Sequence, residues 1–69
     1  MRLIEGVIYL CADGEIRRLD KIEDDFLSYS LPIGKRGSRL AWMELGRTKR
    51  YQVESDFLNG KQISEDEIE

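Results

Sequence analysis

The sequence has 69 residues, of which 41% are hydrophobic and 36% charged, and its formal net charge is −3 at pH 7. This length makes one small domain, and the lack of a long apolar run or a secretory leader predicts a cytoplasmic protein that does not interact with a membrane. Because the chain has no histidine and one cysteine, it lacks the commonest general base and cannot build a zinc site, so we expect neither an enzyme nor a bound metal or other cofactor.

The first predicted element is a β-hairpin over residues 6–22. Residues 7–11 form an unbroken run of β-branched, aromatic and apolar side chains. Asp13 and Gly14 follow as a strong turn signal, because glycine adopts a positive φ without steric cost. The first strand is apolar on both faces, which predicts a central position in a sheet.

The second strand of this hairpin is predicted over residues 15–22. Its apolar residues Ile16, Leu19 and Ile22 do not alternate strictly with polar ones. We interpret this irregularity as a bulge near residues 17–18, because the segment is short and follows a tight turn. A helix over the same residues is the alternative.

Further strands follow at close spacing, and they are predicted at residues 26–31, 39–45 and 50–54. Pro32 is expected to end the first of these because it lacks an N–H group. Residues 33–38 are expected to form a mobile loop and residues 46–49 a turn. The predicted core is shared among the strands and the segment that follows them: Val7, Tyr9, Ile16, Leu19, Leu27, Tyr29, Leu40, Trp42, Val53 and Phe57.

The C-terminal part is predicted to contain one short helical turn. Ser55 is suited to cap this turn, and Gly60 to close it in the left-handed conformation. Residues 61–63 are expected to add a last short strand pairing. The domain therefore spans residues 1–63, and the acid-rich residues 64–69 form a flexible tail.

Short strands, closely spaced turns and a helical turn before the last pairing resemble a small SH3-like barrel. The segments Gly6-Val-Ile-Tyr-Leu and Asp13-Gly-Glu-Ile-Arg-Arg-Leu-Asp-Lys-Ile are similar to short SH3-like and KOW-like proteins that are common in phage and prophage genomes. The resemblance implies an all-β fold, a five-stranded antiparallel barrel, and a binding module that recognises proteins or nucleic acid. It assigns no functional residue.

Charge is strongly segregated along the chain, and such asymmetry can steer a charged partner. The acidic residues Glu23, Asp24 and Asp25 form a candidate protein-binding face. The middle of the chain is basic and provides an alternative surface, a stripe formed by Lys35, Arg36, Arg39, Arg47, Lys49 and Arg50 with Trp42 beside it. An exposed Trp42 or Tyr51 there would complete the stacking platform of a single-strand binder. The favoured interpretation is that these charges solubilise loops, that Trp42 lies in the core, and that Tyr51 points inward from the strand predicted over residues 50–54.

The sequence thus predicts a small non-enzymatic protein-interaction module, encoded by a phage, that binds and inhibits a host protein acting on nucleic acid or in defence. The alternative is direct nucleic-acid binding through the basic stripe, although the net negative charge argues against it. A small core and an open strand edge favour association, and both a homodimer and a monomer stay open. Cys11 is expected to be a buried, inert thiol.

Overall fold

A computed structural model describes residues 3–68 and contains one antiparallel sheet with one α-helix packed against it. The elements in chain order are β1 (Ile8–Leu10), β2 (Ile16–Ile22), β3 (Phe26–Arg36), β4 (Arg39–Lys49), α1 (Arg50–Leu58), β5 (Lys61–Ile63) and a C-terminal 3₁₀ helix (Glu65–Glu67). The strands lie in the order β4-β3-β2-β1-β5. A mostly β fold with five antiparallel strands is therefore confirmed. Within the described range no ladder joins β4 to β5, so closure into a barrel stays a prediction.

The predicted first hairpin is confirmed. The Cys11 N–H donates to the Glu15 carbonyl oxygen at 2.8 Å, and Gly14 turns the chain with a φ of 90°. β1 lies between β2 and β5, as expected for a central strand. The bulge in β2 falls at Asp20 rather than at residues 17–18, and the helical alternative is wrong because residues 16–22 pair as a strand.

β3 and β4 form a long hairpin, here called the hairpin arm, with a tight turn at residues 37–38. The predicted strand end at Pro32, the mobile loop over 33–38 and the turn over 46–49 are therefore wrong. β2 pairs with β3 only as far as Ser30. Beyond that point β3 has a partner on one side only, so a residue without an N–H group fits within it. Gly46, with a φ of 81°, lies at a bulge inside β4 instead of ending the strand.

The fifth strand predicted over residues 50–54 is wrong, because these residues begin α1. Val53 and Phe57 lie four positions apart, share one face of the helix and are both buried. Tyr51, which was predicted to point inward, is 74% exposed. The alternation of Tyr51 with Val53 imitates a strand, but the spacing of Val53 and Phe57 is helical.

The helical turn predicted between Ser55 and Gly60 also differs from the structure at both of its ends. Ser55 lies inside α1 and is not its N-cap, and the helix ends at Asn59, which has a φ of −89°. Gly60 does not have the predicted left-handed conformation. Glycine is required there because an added Cβ would overlap the Leu10 carbonyl oxygen and approach the Cys11 Cα within 2.9 Å.

The core lies between the sheet and α1, where the Tyr9 and Phe57 rings meet edge to face with centroids 5.5 Å apart. Its buried members are Tyr9, Cys11, Leu19, Leu27, Val53 and Phe57. Among the other predicted core residues, Val7 and Tyr29 pack against this cluster partly buried, whereas Ile16, Leu40 and Trp42 are half-buried outside it.

The C-terminal segment, residues 64–68, folds back towards the hairpin arm. Ser64 and Glu67 form a capping box, in which the Glu67 carboxylate accepts the Ser64 N–H at 2.6 Å. Ile68 is only 7% exposed. The predicted domain limits and the flexibility of the tail in solution stay predictions, and residues 1, 2 and 69 of those ranges lie outside the described residues.

Candidate functional site

The hairpin arm separates the predicted basic stripe into two groups. Arg39 and Lys49 begin and end the same strand, and at about 3.3 Å per residue they lie roughly 30 Å apart. A single stripe that includes Arg39 and Arg50 on neighbouring strands is wrong, because Arg50 starts α1. One group, at the tip of the arm, is Lys35, Arg36 and Arg39; the other, at its base, is Arg47, Lys49 and Arg50.

Trp42 lies between these groups, half-buried and opposite Pro32 in the ladder. The Arg18 guanidinium stands over its ring, 5.0 Å from the centroid. Arg18 is itself held by Asp20 at 2.7 Å, and the fully buried Ser30 hydroxyl donates to the same carboxylate. This network attaches the arm to β2 and covers one face of the indole, so that face is closed to a stacking base.

The acidic residues at 23–25 lie against the basic group at the base of the arm. The Glu23 carboxylate is 3.4 Å from the Arg47 Nε. The backbone carbonyl oxygen of Glu23 accepts a hydrogen bond from Arg50 Nη1 at 3.0 Å. The Arg50 N–H donates to the Asp25 carbonyl oxygen at 2.8 Å, which fixes the start of α1. The structure therefore joins the acidic face and half of the basic stripe in one surface of mixed charge.

An open cavity of about 530 Å³ lies at this junction, and we call it the basal groove. Arg50 is held at its wall by an ion pair with Glu54, one helical turn further on. Tyr51 stands beside it with most of its ring in solvent. The groove is lined by Asp24, Asp25, Phe26, Lys49, Arg50, Tyr51 and Glu54.

The basal groove combines charges of both signs with an exposed aromatic ring. Asp24, Asp25 and Lys49 form no ion pair with any residue in the range 3–68, so their charges remain available to a partner. The Tyr51 ring offers a large apolar surface with a hydroxyl at its end. From the sequence, an exposed Tyr51 was only the alternative to an inward one, and the helical spacing of Val53 and Phe57 is the signal that could have decided between them.

A smaller cavity of about 230 Å³, the tip pocket, lies where the C-terminal segment meets the tip of the arm. The Leu40 N–H donates to the Glu65 carboxylate at 3.0 Å. The pocket is lined by Lys35, Ser38, Arg39, Leu40, Glu65, Asp66 and Ile68. The Ser64-to-Glu67 spacing is a recognisable helix-start signature, so the sequence contained a signal for order in this acidic segment.

Cys11 and Arg17 form a third polar cluster beside the first turn. Burial raises the pKa of the Cys11 thiol, although a hydrogen bond with Arg17 opposes the shift. The Arg17 Nη2 lies 2.8 Å from the Asp13 carboxylate, and this hydrogen bond lowers the pKa of Asp13. Because the thiolate is the reactive form, a buried thiol with a raised pKa fits the expected inert role.

Comparisons with protein-family models, curated proteins and solved structures gave no match to this chain. Over residues 3–68, no three side chains of the metal-ligating types are grouped so that they could hold an ion. Neither helix in the same range has the length and apolar character needed to span a bilayer.

Proposed function

We propose that the chain is a small non-enzymatic protein-interaction module whose partner binds the basal groove. One observation carries the proposal: Tyr51 is 74% exposed beside a groove that contains charges of both signs. Tyrosine and arginine are enriched among the residues that dominate binding energy at protein interfaces. The outer edge of β4 adjoins the groove and adds backbone groups that a partner strand can pair with.

The proposed partner is a protein with a basic groove that handles nucleic acid, and binding would inhibit it. The Asp24 and Asp25 side chains, exposed and without an ion pair among the described residues, support this choice, since complementary potentials set which partner a surface accepts. A phage source and a cytoplasmic location belong to the same proposal. The phage source is supported by the SH3-like resemblance.

An SH3-like barrel remains the proposed fold family. The order of the elements supports it, because a helical segment follows β4 and β5 then returns to pair with β1. Closure would require the two sheet edges to approach each other.

The proposal is tested by capturing partners from host lysate on the immobilised full chain and quantifying them by mass spectrometry. We expect Tyr51→Ala to reduce capture of the specific partner at least tenfold, because hot-spot aromatics typically cost 2 kcal/mol or about 30-fold when truncated. Gln52→Ala, an exposed neighbour on α1, is the matched control and should leave capture unchanged. Equal capture by Tyr51→Ala and the original chain, with unchanged circular dichroism spectra, would contradict the proposal.

Direct nucleic-acid binding is the second candidate function. It is supported by Lys35, Arg36 and Arg39, which form no salt bridge with any residue in the range 3–68. If three phosphates of a single strand are contacted, the logarithm of affinity should fall against the logarithm of salt concentration with a slope of about −2. Absence of binding to a single-stranded oligonucleotide at low salt would remove this candidate.

A further inference from the structure

The tip of the hairpin arm carries a cluster of cations next to a site already occupied by a carboxylate. The Glu65 carboxylate accepts the backbone N–H of Leu40 and makes no salt bridge to the nearby Lys35 or Arg39. Within residues 3–68, the positive charge of the tip is therefore not neutralised by an ion pair. The site can accept further negative charge after this carboxylate has docked.

A buried aliphatic side chain lies at the other end of the C-terminal segment. Ile68 is 7% exposed and lies outside the core cluster, and it lines the tip pocket together with Leu40. The acidic residues between these two contacts, Glu65 to Glu67, are exposed. The segment thus binds as a short peptide does, through one anchoring side chain and one hydrogen bond to an edge strand.

We propose that the tip of the hairpin arm is a binding site for an acidic peptide segment that carries an aliphatic residue three positions after a glutamate, and that residues 64–68, which form one wall of the tip pocket, cover this site as an internal ligand. The inference rests on the proposed function as a protein-binding module and names the chemistry of one partner segment. A partner segment of this kind displaces the internal ligand. Its acidic side chains then interact with the cationic side chains of Lys35, Arg36 and Arg39.

The apolar part of the pocket favours a peptide over a nucleic acid. Ile68 is buried, and it lines the same pocket as Leu40, whereas a sugar–phosphate backbone has no aliphatic group to place there. Phosphates would bind the cations but leave this apolar surface exposed to water, which is unfavourable.

The internal ligand also determines the apparent affinity for a partner. A tethered segment acts at an effective concentration in the millimolar range when its linker is short. A peptide in trans must compete with it and therefore binds the original chain weakly. Weakening the internal contacts should raise the apparent affinity for the same peptide without any change in the cations.

The test uses the full chain and a synthetic peptide with the sequence of residues 63–68, blocked at both ends. Binding is followed by ¹⁵N NMR at the Leu40 amide, which reports on the pocket directly. We expect Glu65→Gln combined with Ile68→Ala to bind the peptide at least tenfold more tightly than the original chain. Adding Lys35→Glu and Arg39→Glu should abolish this gain. Glu15→Gln, a remote exposed acid, is the matched control and should behave like the original chain.

Three results would overturn the inference. The peptide could bind the original and altered chains equally, an oligo(dT) strand could shift the Leu40 amide when the peptide does not, or light scattering could show that the altered chain dimerises through the pocket. If the double variant does not fold, the Glu65→Gln variant is titrated with the same peptide, and tighter binding than by the original chain is again the expected result. Partner capture by the Tyr51→Ala variant tests the proposed function separately, since Tyr51 lies at the opposite end of the arm.

Discussion

Gly60 is a position where the fold has no room for a side chain. A Cβ there would overlap the Leu10 carbonyl oxygen and lie 3.1 Å from the Asp56 carbonyl oxygen, and both are backbone atoms that cannot rotate away. We expect Gly60→Ala to lower the free energy of unfolding by about 1–3 kcal/mol or more, the range typical of overpacked sites. Urea denaturation followed by circular dichroism measures this change. A stability within experimental error of the original would show that β1 and α1 do not approach closely.

Gly14 provides the contrasting case, in which glycine is needed for its backbone conformation alone. Its φ is 90°, and nothing lies within 4 Å of an added Cβ. Gly14→Val should cost about 1–2 kcal/mol, because a β-branched residue resists a positive φ. An unchanged melting temperature would mean that the turn adopts another conformation in solution.

Asp13 gives the first hairpin a predictable dependence on pH. The hydrogen bond from Arg17, followed by that from the Glu15 N–H, lowers the pKa of Asp13 in the folded chain. A lowered folded pKa stabilises the protein above the unfolded value of about 3.9, and the stabilisation is lost as the pH falls through the folded value. Asp13→Asn should therefore melt at a lower temperature than the original chain at pH 7.

The difference between these two melting temperatures should shrink as the pH falls through the folded pKa of Asp13, and it should disappear once Asp13 is protonated in both states. Asp24→Asn is the control, because Asp24 is exposed and forms no ion pair among the described residues. A difference between Asp13→Asn and the original chain that does not shrink as the pH is lowered would show that the carboxylate acts through something other than its charge.

Residue-level chemistry also explains which parts of the candidate sites were predictable. The charges at 23–25 and 35–50 are visible in the sequence, but their grouping depends on how far β3 and β4 extend. Gly46 lies at a bulge inside β4 and Pro32 lies where β3 has a partner on one side only, whereas the local rules treat both as breaks. Because the arm was predicted too short, the basic residues were expected to form one stripe, and the contact of Glu23 with Arg47 was not foreseen.

At the scale of elements, α1 contributes more to the fold than its length suggests. It is the only α-helix in residues 3–68, and its buried residues Val53 and Phe57 complete the core. Phe57 contacts the rings of both Tyr9 and Tyr29. The sequence predicted its burial correctly but placed it in a short turn, because Tyr51 and Val53 alternate as strand residues do.

The contribution of α1 can be measured by truncating its main anchor. Phe57→Ala should lower the free energy of unfolding by about 3–5 kcal/mol, the usual cost of removing a buried phenylalanine. A chain of this size has little more stability than that, so we expect it to be largely unfolded at room temperature by circular dichroism. Tyr51→Ala, on the exposed side of the same helix, should change stability by less than about 0.5 kcal/mol. Similar effects of the two changes would mean that α1 presents a different face to the sheet.

At the scale of the whole molecule, the exposed surface of the arm favours self-association. β4 is an edge strand of 11 residues, and both Met43 and Leu45 on it are 44% exposed. Long edges with apolar side chains pair readily with other strands. We expect a homodimer through β4 at high micromolar concentration, measured by light scattering. Leu45→Lys should return the mass to that of a monomer, and a monomer mass for the original chain would remove this prediction.

The arm also affects how cooperatively the molecule unfolds. Between Ser30 and Val53 every residue is described and none is buried, and the longest dimension of the molecule is 36 Å against 21 and 18 Å for the others. Segments with few buried contacts open at lower free energy than the core. Trp42, the single tryptophan of the chain, lies within this region, so its fluorescence reports on the arm while far-UV circular dichroism reports on the whole. If the unfolding midpoint lies at a lower urea concentration by fluorescence than by circular dichroism, the arm is a separate unfolding unit. Such an arm can open to a binding partner while the helix and the first hairpin stay folded.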